Sequence, residues 1–321
     1  MRILSVRERI DQLRRAPRFF SVGVPLLCAV YLALVHRFAG GLQPEHYLAA
    51  ALFLGLALGS DGSRKLARVG MPFLLYALVY DSMRWYADYI RSPVIHLHAP
   101  YNFDLRFFGI HTAARTLTPN EWFQIHTSRV LDFICGLSYT PFLFIGESVL
   151  VSIYLLFRGQ ERRAVRFAWV FVISNFVGFS LYYIYPAAPP WYVAQHGFVA
   201  DLSVHASAAG AVRFDQLVGL PVMASFYGKS ADVFGAIPSL HVVYPMLALL
   251  YAWKLPRFRI VAAVYLFLVC LSAVYLDHHY ILDILVGFVL GLGVMAAFRL
   301  AGGPLEESSD GLQIAPDRVP V

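Results

Sequence analysis

Charge is scarce in this sequence. Only 14% of its 321 residues are Asp, Glu, Lys or Arg, against about 25% in ordinary soluble proteins. A soluble chain of this length would need more charge to wet its surface, so the soluble globular classes are excluded. Cysteine is nearly absent too. Cys28, Cys135 and Cys270 are the full set, and each falls inside an apolar run, which excludes a disulfide framework and a thiolate metal site. No internal repeat and no separate soluble domain is visible. The first apolar run follows a long basic segment and has no small-residue cleavage site, so it reads as a retained helix.

What the chain has in abundance is apolar length. Hydrophobic residues make up 59% of it, and the mean hydropathy is +0.60. Apolar stretches predict helices at 19–39, 46–59, 68–83, 130–157, 167–186, 234–253, 258–276 and 280–299. A spanning helix needs about 20 residues. The second stretch is short, which leaves six or seven spans open beside eight. The expected fold is an all-α, polytopic integral membrane bundle. Its parts are a basic cytoplasmic segment at 1–18, one membrane domain at 19–300 and a disordered cytoplasmic tail at 301–321. The connectors 84–129 and 187–233 mix aromatics, prolines and charges, as interfacial or re-entrant segments do.

The basic residues are distributed unevenly. One set of alternate loops holds eighteen of the 26 Lys and Arg residues, among them Arg64, Lys65, Arg158, Arg162, Arg163 and Arg257. The other eight include Arg84, Arg129, Arg213 and Lys229. The positive-inside rule then puts both termini in the cytoplasm, and puts 84–129, 187–233 and the turn near 277–280 outside. The net charge of +6 follows this topology and gives no reason to expect nucleic acid as a partner.

Two segments carry chemistry, and both meet the same face of the membrane. The turn before the last helix reads Asp277-His278-His279-Tyr280-Ile281-Leu282-Asp283. On a helix, His279 and Asp283 are four apart and share one face. A carboxylate behind an imidazole fixes its tautomer and stabilises the imidazolium. Ionisable groups at the ends of membrane helices are expensive and usually functional, although polar caps at an interface would look similar. The second segment is Gly235-Ala236-Ile237-Pro238-Ser239-Leu240-His241. Proline suits the first turn of a helix, Ser239 is expected to cap backbone N–H groups, and a helix N-terminus attracts phosphate. His241 alone would be an ordinary structural histidine. At the depth of His279 it becomes a candidate.

Together these segments resemble the second and third motifs of the type 2 phosphatidic acid phosphatase superfamily. Those motifs are Pro-Ser-x-His and His-x-x-x-Asp, matched by Pro238, Ser239 and His241 and by His279 and Asp283. The sequence is most similar to the inositol phosphorylceramide synthase branch, through Pro-Ser-Leu-His, His-His-Tyr and Ala188-Pro189-Pro190-Trp191-Tyr192. The resemblance runs from about residue 100, near Asp104 and Gly109, to residue 290. It implies that His279 is the nucleophile, that Asp283 orients it, and that His241 protonates the leaving oxygen and then deprotonates the acceptor. It implies no metal and no cofactor. It implies a lipid donor and a lipid alcohol acceptor as partners, phosphatidylinositol and ceramide being the family expectation, and says nothing of a partner subunit. Water as acceptor would make the protein a lipid-phosphate phosphatase.

The sequence departs from the superfamily in two places. The first motif, Lys with Arg-Pro seven residues later, is absent, and the Arg often found six residues before the third-motif His is Ala273. A phosphate monoester carries close to two charges and a diester one, so fewer cations favour transfer of a diester head group. Arg84, Arg129 and Lys229 are candidate phosphate ligands or interfacial anchors. Ser239, Pro190, Trp191, Tyr192 and His278 are placed around the substrate, with the Pro-Pro-Trp-Tyr run serving equally well as a rigid interfacial turn. Asp81, Asp104 and Asp132 are assigned structural hydrogen bonds. Asp61-Gly62 with Arg64 and Arg68 hints at a CDP-alcohol phosphotransferase, but the rest of that motif is missing. A transporter or lipid-binding scaffold without turnover is disfavoured by the complete His241, His279 and Asp283 set.

Overall fold

The computed structural model describes residues 17–38, 42, 44–228, 230, 232–253 and 255–302. The basic segment up to residue 16, Lys229 and the tail after 302 lie outside the described residues.

The described residues are mostly helical. A π-helical turn at Phe19–Gly23 runs into α1 (Val24–Phe38), followed by α2 (Pro44–Leu58) and α3 (Asp61–Ile90). The first long connector holds α4 (His98–Phe108), a two-residue hairpin of β1 (Ile110–His111) and β2 (Thr116–Leu117), and α5 (Pro119–Ile125). Then come α6 (Arg129–Ser138), α7 (Pro141–Phe157) and α8 (Glu161–Ile184). The second connector holds α9 (Pro190–His196), α10 (Val212–Val218) and α11 (Val222–Tyr227). The chain closes with α12 (Leu240–Ala252), α13 (Pro256–Tyr275) and α14 (Ile281–Gly302).

Among the described residues, four helices are long and apolar enough to cross a membrane, at Phe19–Arg37, Glu161–Ile184, Phe258–Tyr275 and Ile281–Ala301. Shorter apolar helices lie at His46–Leu58, Ile145–Phe157 and Leu240–Ala252. The protein is an integral membrane helical bundle. Many of its outward side chains are large and apolar, such as Leu48, Leu150, Val261 and Val289, as lipid-facing helices require.

Several boundaries differ from the sequence expectation, each for a local reason. The expected helix 130–157 is broken into α6 and α7. Pro141 opens α7, and Thr140 before it is extended at φ −68° and ψ 136°, because proline disfavours helical backbone in its predecessor. α3 is much longer than 68–83. Ser60 caps it by accepting the Ser63 N–H, and its polar first turns hid it from a hydropathy reading. α12 starts at Leu240 rather than 234, because residues 235–239 are held in a separate lattice. There Ala187 bridges to both His96 and Gly235, and the Ala187 N–H donates to the Phe234 carbonyl at 2.8 Å.

α12 is the hub of the bundle, packing on α7, α8, α13 and α14. Its approach to α14 depends on Gly287, where a Cβ would lie 2.5 Å from the Ser239 carbonyl oxygen. Small residues at such crossings let two backbones meet. One core cluster joins α3, α8, α12 and α14 around Phe171, Phe179, Tyr244 and Leu247. A second joins α6, α10, α11 and α13 around Tyr139, Phe214, Met223 and Tyr275. The turn between α13 and α14 sits on the second cluster.

Candidate active site

The turn at 276–280 is fixed by side chains from remote elements. Asn120 of α5 is buried and donates through Nδ2 to the carbonyls of Val274 and His279, each at 3.0 Å. Arg213 of α10 donates to the Tyr275 carbonyl at 3.2 Å, to Gln124 Oε1 at 2.9 Å and to Asp132 Oδ1 at 2.6 Å. Asp132 also accepts from the Tyr275 hydroxyl at 2.7 Å. The start of α14 is capped from a distance. Asp104 of α4 accepts from the N–H groups of Ile281 and Leu282 at 2.7 and 3.1 Å. Burial lifts the Asp104 carboxyl to about 6, against the pull of those two donors. The expectation that Asp104 and Asp132 make structural hydrogen bonds is met in this form.

Within this frame the three candidate catalytic groups form one chain. His279 Nδ1 lies 3.2 Å from Asp283 Oδ2, which also accepts the Tyr280 N–H at 2.9 Å. His279 Nε2 lies 3.1 Å from His241 Nδ1. His241 Nε2 faces the Tyr227 hydroxyl at 3.4 Å. The carboxylate is an acceptor, so His279 carries its proton on Nδ1 and leaves Nε2 as a lone pair; His241 Nδ1–H then points at that lone pair. Tyr139 covers the His241 ring, with centroids 4.6 Å apart. Burial pushes the His279 imidazole down to about 4, so it is neutral at ordinary pH.

The remaining expected residues fall in distinct places. Ser239 donates its N–H to the Asp283 carbonyl at 2.9 Å and so ties the two motifs together. Its side chain does not cap α12, contrary to expectation; Oγ is buried without a partner. The reason is that residue 239 is pinned by its backbone against α14. His278 anchors the turn, with Nε2 3.2 Å from the Ala208 carbonyl and its ring 4.4 Å from that of Tyr227. Burial, and the neighbouring His279, push it down to about 3. Trp191 and Tyr192 are buried behind the turn. The Trp191 N–H donates to the Asp277 carbonyl at 3.1 Å, and the Tyr192 hydroxyl accepts the Asp201 N–H at 2.7 Å. Pro190 lines a cavity that touches the turn. Arg129 is exposed at the first residue of α6. Lys229 and the Arg84 side chain lie outside the described residues.

Asn120, Tyr139, Tyr227 and Arg213 were not singled out as site residues by sequence reasoning. Asn120 lies inside a capping box, Thr118 with Glu121, which signals a helix start and nothing chemical. Tyr139 and Tyr227 are two among 19 tyrosines.

A cavity of about 110 Å³ opens beside His241. Tyr76, Tyr80, Tyr182, Tyr227 and Tyr244 line it, with Phe179 and Leu240. It runs along α3, α8 and α12, which are bundle helices.

Paired buried histidines with a carboxylate behind one of them, in an all-α membrane protein, form an arrangement that phosphoryl or phosphodiester transfer can use. The family model described as PAP2 superfamily matches residues 112–297, and the chain belongs to that superfamily. It is an enzyme of the phosphatase and phosphotransferase type. It is 36% identical over 279 residues to the phosphoinositol dihydroceramide synthase of Bacteroides thetaiotaomicron, covering 85% of this chain and 89% of the relative. It is 36% identical over 170 residues to the inositol phosphorylceramide synthase of Candida albicans, covering 52% of this chain and 36% of that protein. The catalytic subunit of the Saccharomyces cerevisiae inositol phosphorylceramide synthase is 27% identical over 241 residues, covering 74% of this chain and 58% of that protein. No solved structure matches the chain.

Proposed function

We propose that the protein transfers phosphoinositol from phosphatidylinositol to the hydroxyl of a ceramide-like lipid alcohol. The buried chain from Tyr227 through His241 and His279 to Asp283 carries this reading; the names of the relatives supply the phosphoinositol group and the ceramide acceptor, and phosphatidylinositol is the donor that the family resemblance implies. His279 Nε2 attacks phosphorus, and the bond from phosphorus to the diacylglycerol oxygen breaks. His241, held as an imidazolium by the negative charge of the bound phosphodiester, gives its Nδ1 proton to that oxygen and is left neutral. The acceptor hydroxyl then loses its proton to His241, its oxygen attacks phosphorus, and the bond to His279 breaks. Splitting one displacement into two lowers each barrier, and Asp283 stabilises the charge that develops on His279. In the free enzyme the two rings touch, so this contact opens when the phosphodiester enters.

Transfer rather than hydrolysis is favoured by the cations. Arg91 pairs with Asp232 at 3.0 Å and Arg213 with Asp132 at 2.6 Å. Each is offset by a carboxylate, which suits a singly charged diester better than a monoester. The tyrosine-lined cavity beside His241 suits the lipid alcohol. The uneven distribution of Lys and Arg supports both termini in the cytoplasm and the histidines on the opposite face.

Purified protein given phosphatidylinositol labelled in its head group, with ceramide, tests the reading. Diacylglycerol should appear and the label should move to the second lipid. Rapid release of inorganic phosphate from phosphatidic acid, with no transfer product, would make the protein a phosphatase instead.

A further inference from the structure

A second cavity, of about 570 Å³, takes no part in the steps above. Its size lies in the range of about 300–1,000 Å³ usual for small-molecule pockets. Its polar wall includes Thr118, Asn120, Glu121, Gln124, Asp277 and Tyr280. Asp277 and Tyr280 bracket the two histidines of the turn in sequence, and Asn120 holds the carbonyl of His279 itself. The cavity wall and the nucleophile therefore share one piece of backbone. By contrast, the aromatic cavity is bordered by His241, the group that handles the lipid oxygens.

The charge of the second cavity indicates what it can hold. Arg115 lines it but is paired with Glu121 at 3.0 Å, and Asp277 adds another carboxyl. One cation against two acids is a poor site for a second phosphate and a good one for a neutral group bearing several hydroxyls. Asp277 is only 7% exposed, and the mechanism gives its carboxyl no task. Its backbone has φ +66°, in the left-handed region where Asp and Asn are among the few tolerated side chains. Its N–H donates to the Val274 carbonyl and its own carbonyl accepts the Trp191 N–H, each at 3.1 Å. The residue is thus fixed from both sides at the wall of the cavity. Nearby, Asn120 Oδ1 is buried without a hydrogen-bond partner.

We propose that this cavity is the polyol subsite of the enzyme, binding the hydroxylated ring of the donor head group with the Asp277 carboxyl group hydrogen-bonded to two neighbouring hydroxyls. The proposal rests on the phosphoinositol transfer reading. It divides the substrate between two cavities: the lipid oxygen lies beside His241 and the ring lies beside Asp277 and Tyr280.

The test compares two donors, phosphatidylinositol and phosphatidylmethanol, which share the diester and differ in the ring. The readout is the ratio of their kcat/KM values in wild type, Asp277→Asn and Ala194→Phe. Asn tolerates the same backbone. Ala194 is an exposed residue on the cavity wall, and a phenyl ring there fills the space. The wild type should prefer phosphatidylinositol. In both variants that preference should fall about tenfold or more, mainly through KM, as expected on losing a carboxyl hydrogen-bond partner or the room for the ring. A purely structural role for Asp277 would weaken both donors alike and leave the ratio unchanged. A wild type that transfers phosphoinositol while both variants keep its ratio overturns the subsite and leaves the transfer reading standing. A wild type without preference for the ring overturns the subsite as well. No transfer from phosphatidylinositol by the wild type overturns both.

Discussion

On the proposed mechanism His279 has to be neutral to attack phosphorus, and its surroundings keep it so. Burial lowers it to about 4, well below the ordinary histidine value of about 6.5. The acid limb of kcat/KM should therefore fall near pH 4 rather than near pH 6.5, as a pH-rate profile will show. Stability follows the same sign. An unfolded histidine binds its proton near 6.5, so the folded state loses ground as pH drops from 6.5 toward 4, and thermal melts in detergent should move down across that window. Replacing His279 or His241 by Ala should reduce transfer about 10³-fold or more, with Asp283→Asn nearly as severe, since such residues act as a unit. Melting temperature checks that each variant still folds. At this scale the grouping of His241, His279 and Asp283 was legible because its spacing matches a chemical pattern. Asn120 and Tyr227 were not, because a hydrogen bond to the carbonyl of residue 279 from residue 120 leaves no mark on local sequence.

Elements matter here through how two helix starts are held together. α12 brings His241 and α14 brings Asp283, and the Ser239 N–H donating to the Asp283 carbonyl locks them. Gly287 makes that closeness feasible, since any Cβ would press on the Ser239 carbonyl. Gly287→Val should destabilise the protein by about 1–3 kcal/mol, the usual penalty of overpacking. It should also depress turnover more than its melting temperature suggests, by widening the contact between His241 and His279. Asp104→Ala removes the cap on α14 and should lower stability by about 1 kcal/mol, with a smaller loss of rate than His279→Ala. Hydropathy made most helices legible. It joined α6 to α7 because apolar content continues through Tyr139 and Thr140, and only the backbone demand of Pro141 separates them. That break places Tyr139 against His241.

The molecule as a whole is a membrane bundle whose long connectors are ordered by carboxylates that cap other helices, Asp104 on the remote α14 and Asp215 on the adjacent α11. Nothing in connector composition announces this. It read as interfacial because its charges serve tertiary partners. Orientation rests on the Lys and Arg distribution. In intact cells, a cysteine at Ala194 should react with an impermeant thiol reagent, and one at Arg162 should react only after the membrane is opened. The reverse labelling would move the active site to the cytoplasm.

The central claim is a covalent head-group intermediate on His279, and trapping it is the most direct test. Purified enzyme is mixed with phosphatidylinositol labelled at phosphorus, without acceptor, and quenched rapidly under alkaline conditions. The account predicts label on the protein at His279, release of an equivalent amount of diacylglycerol, and quantitative chase of the label onto ceramide when it is added. His279→Ala should show none of this. Transfer product forming at the wild-type rate in His279→Ala, with no labelled protein in either enzyme, would contradict it.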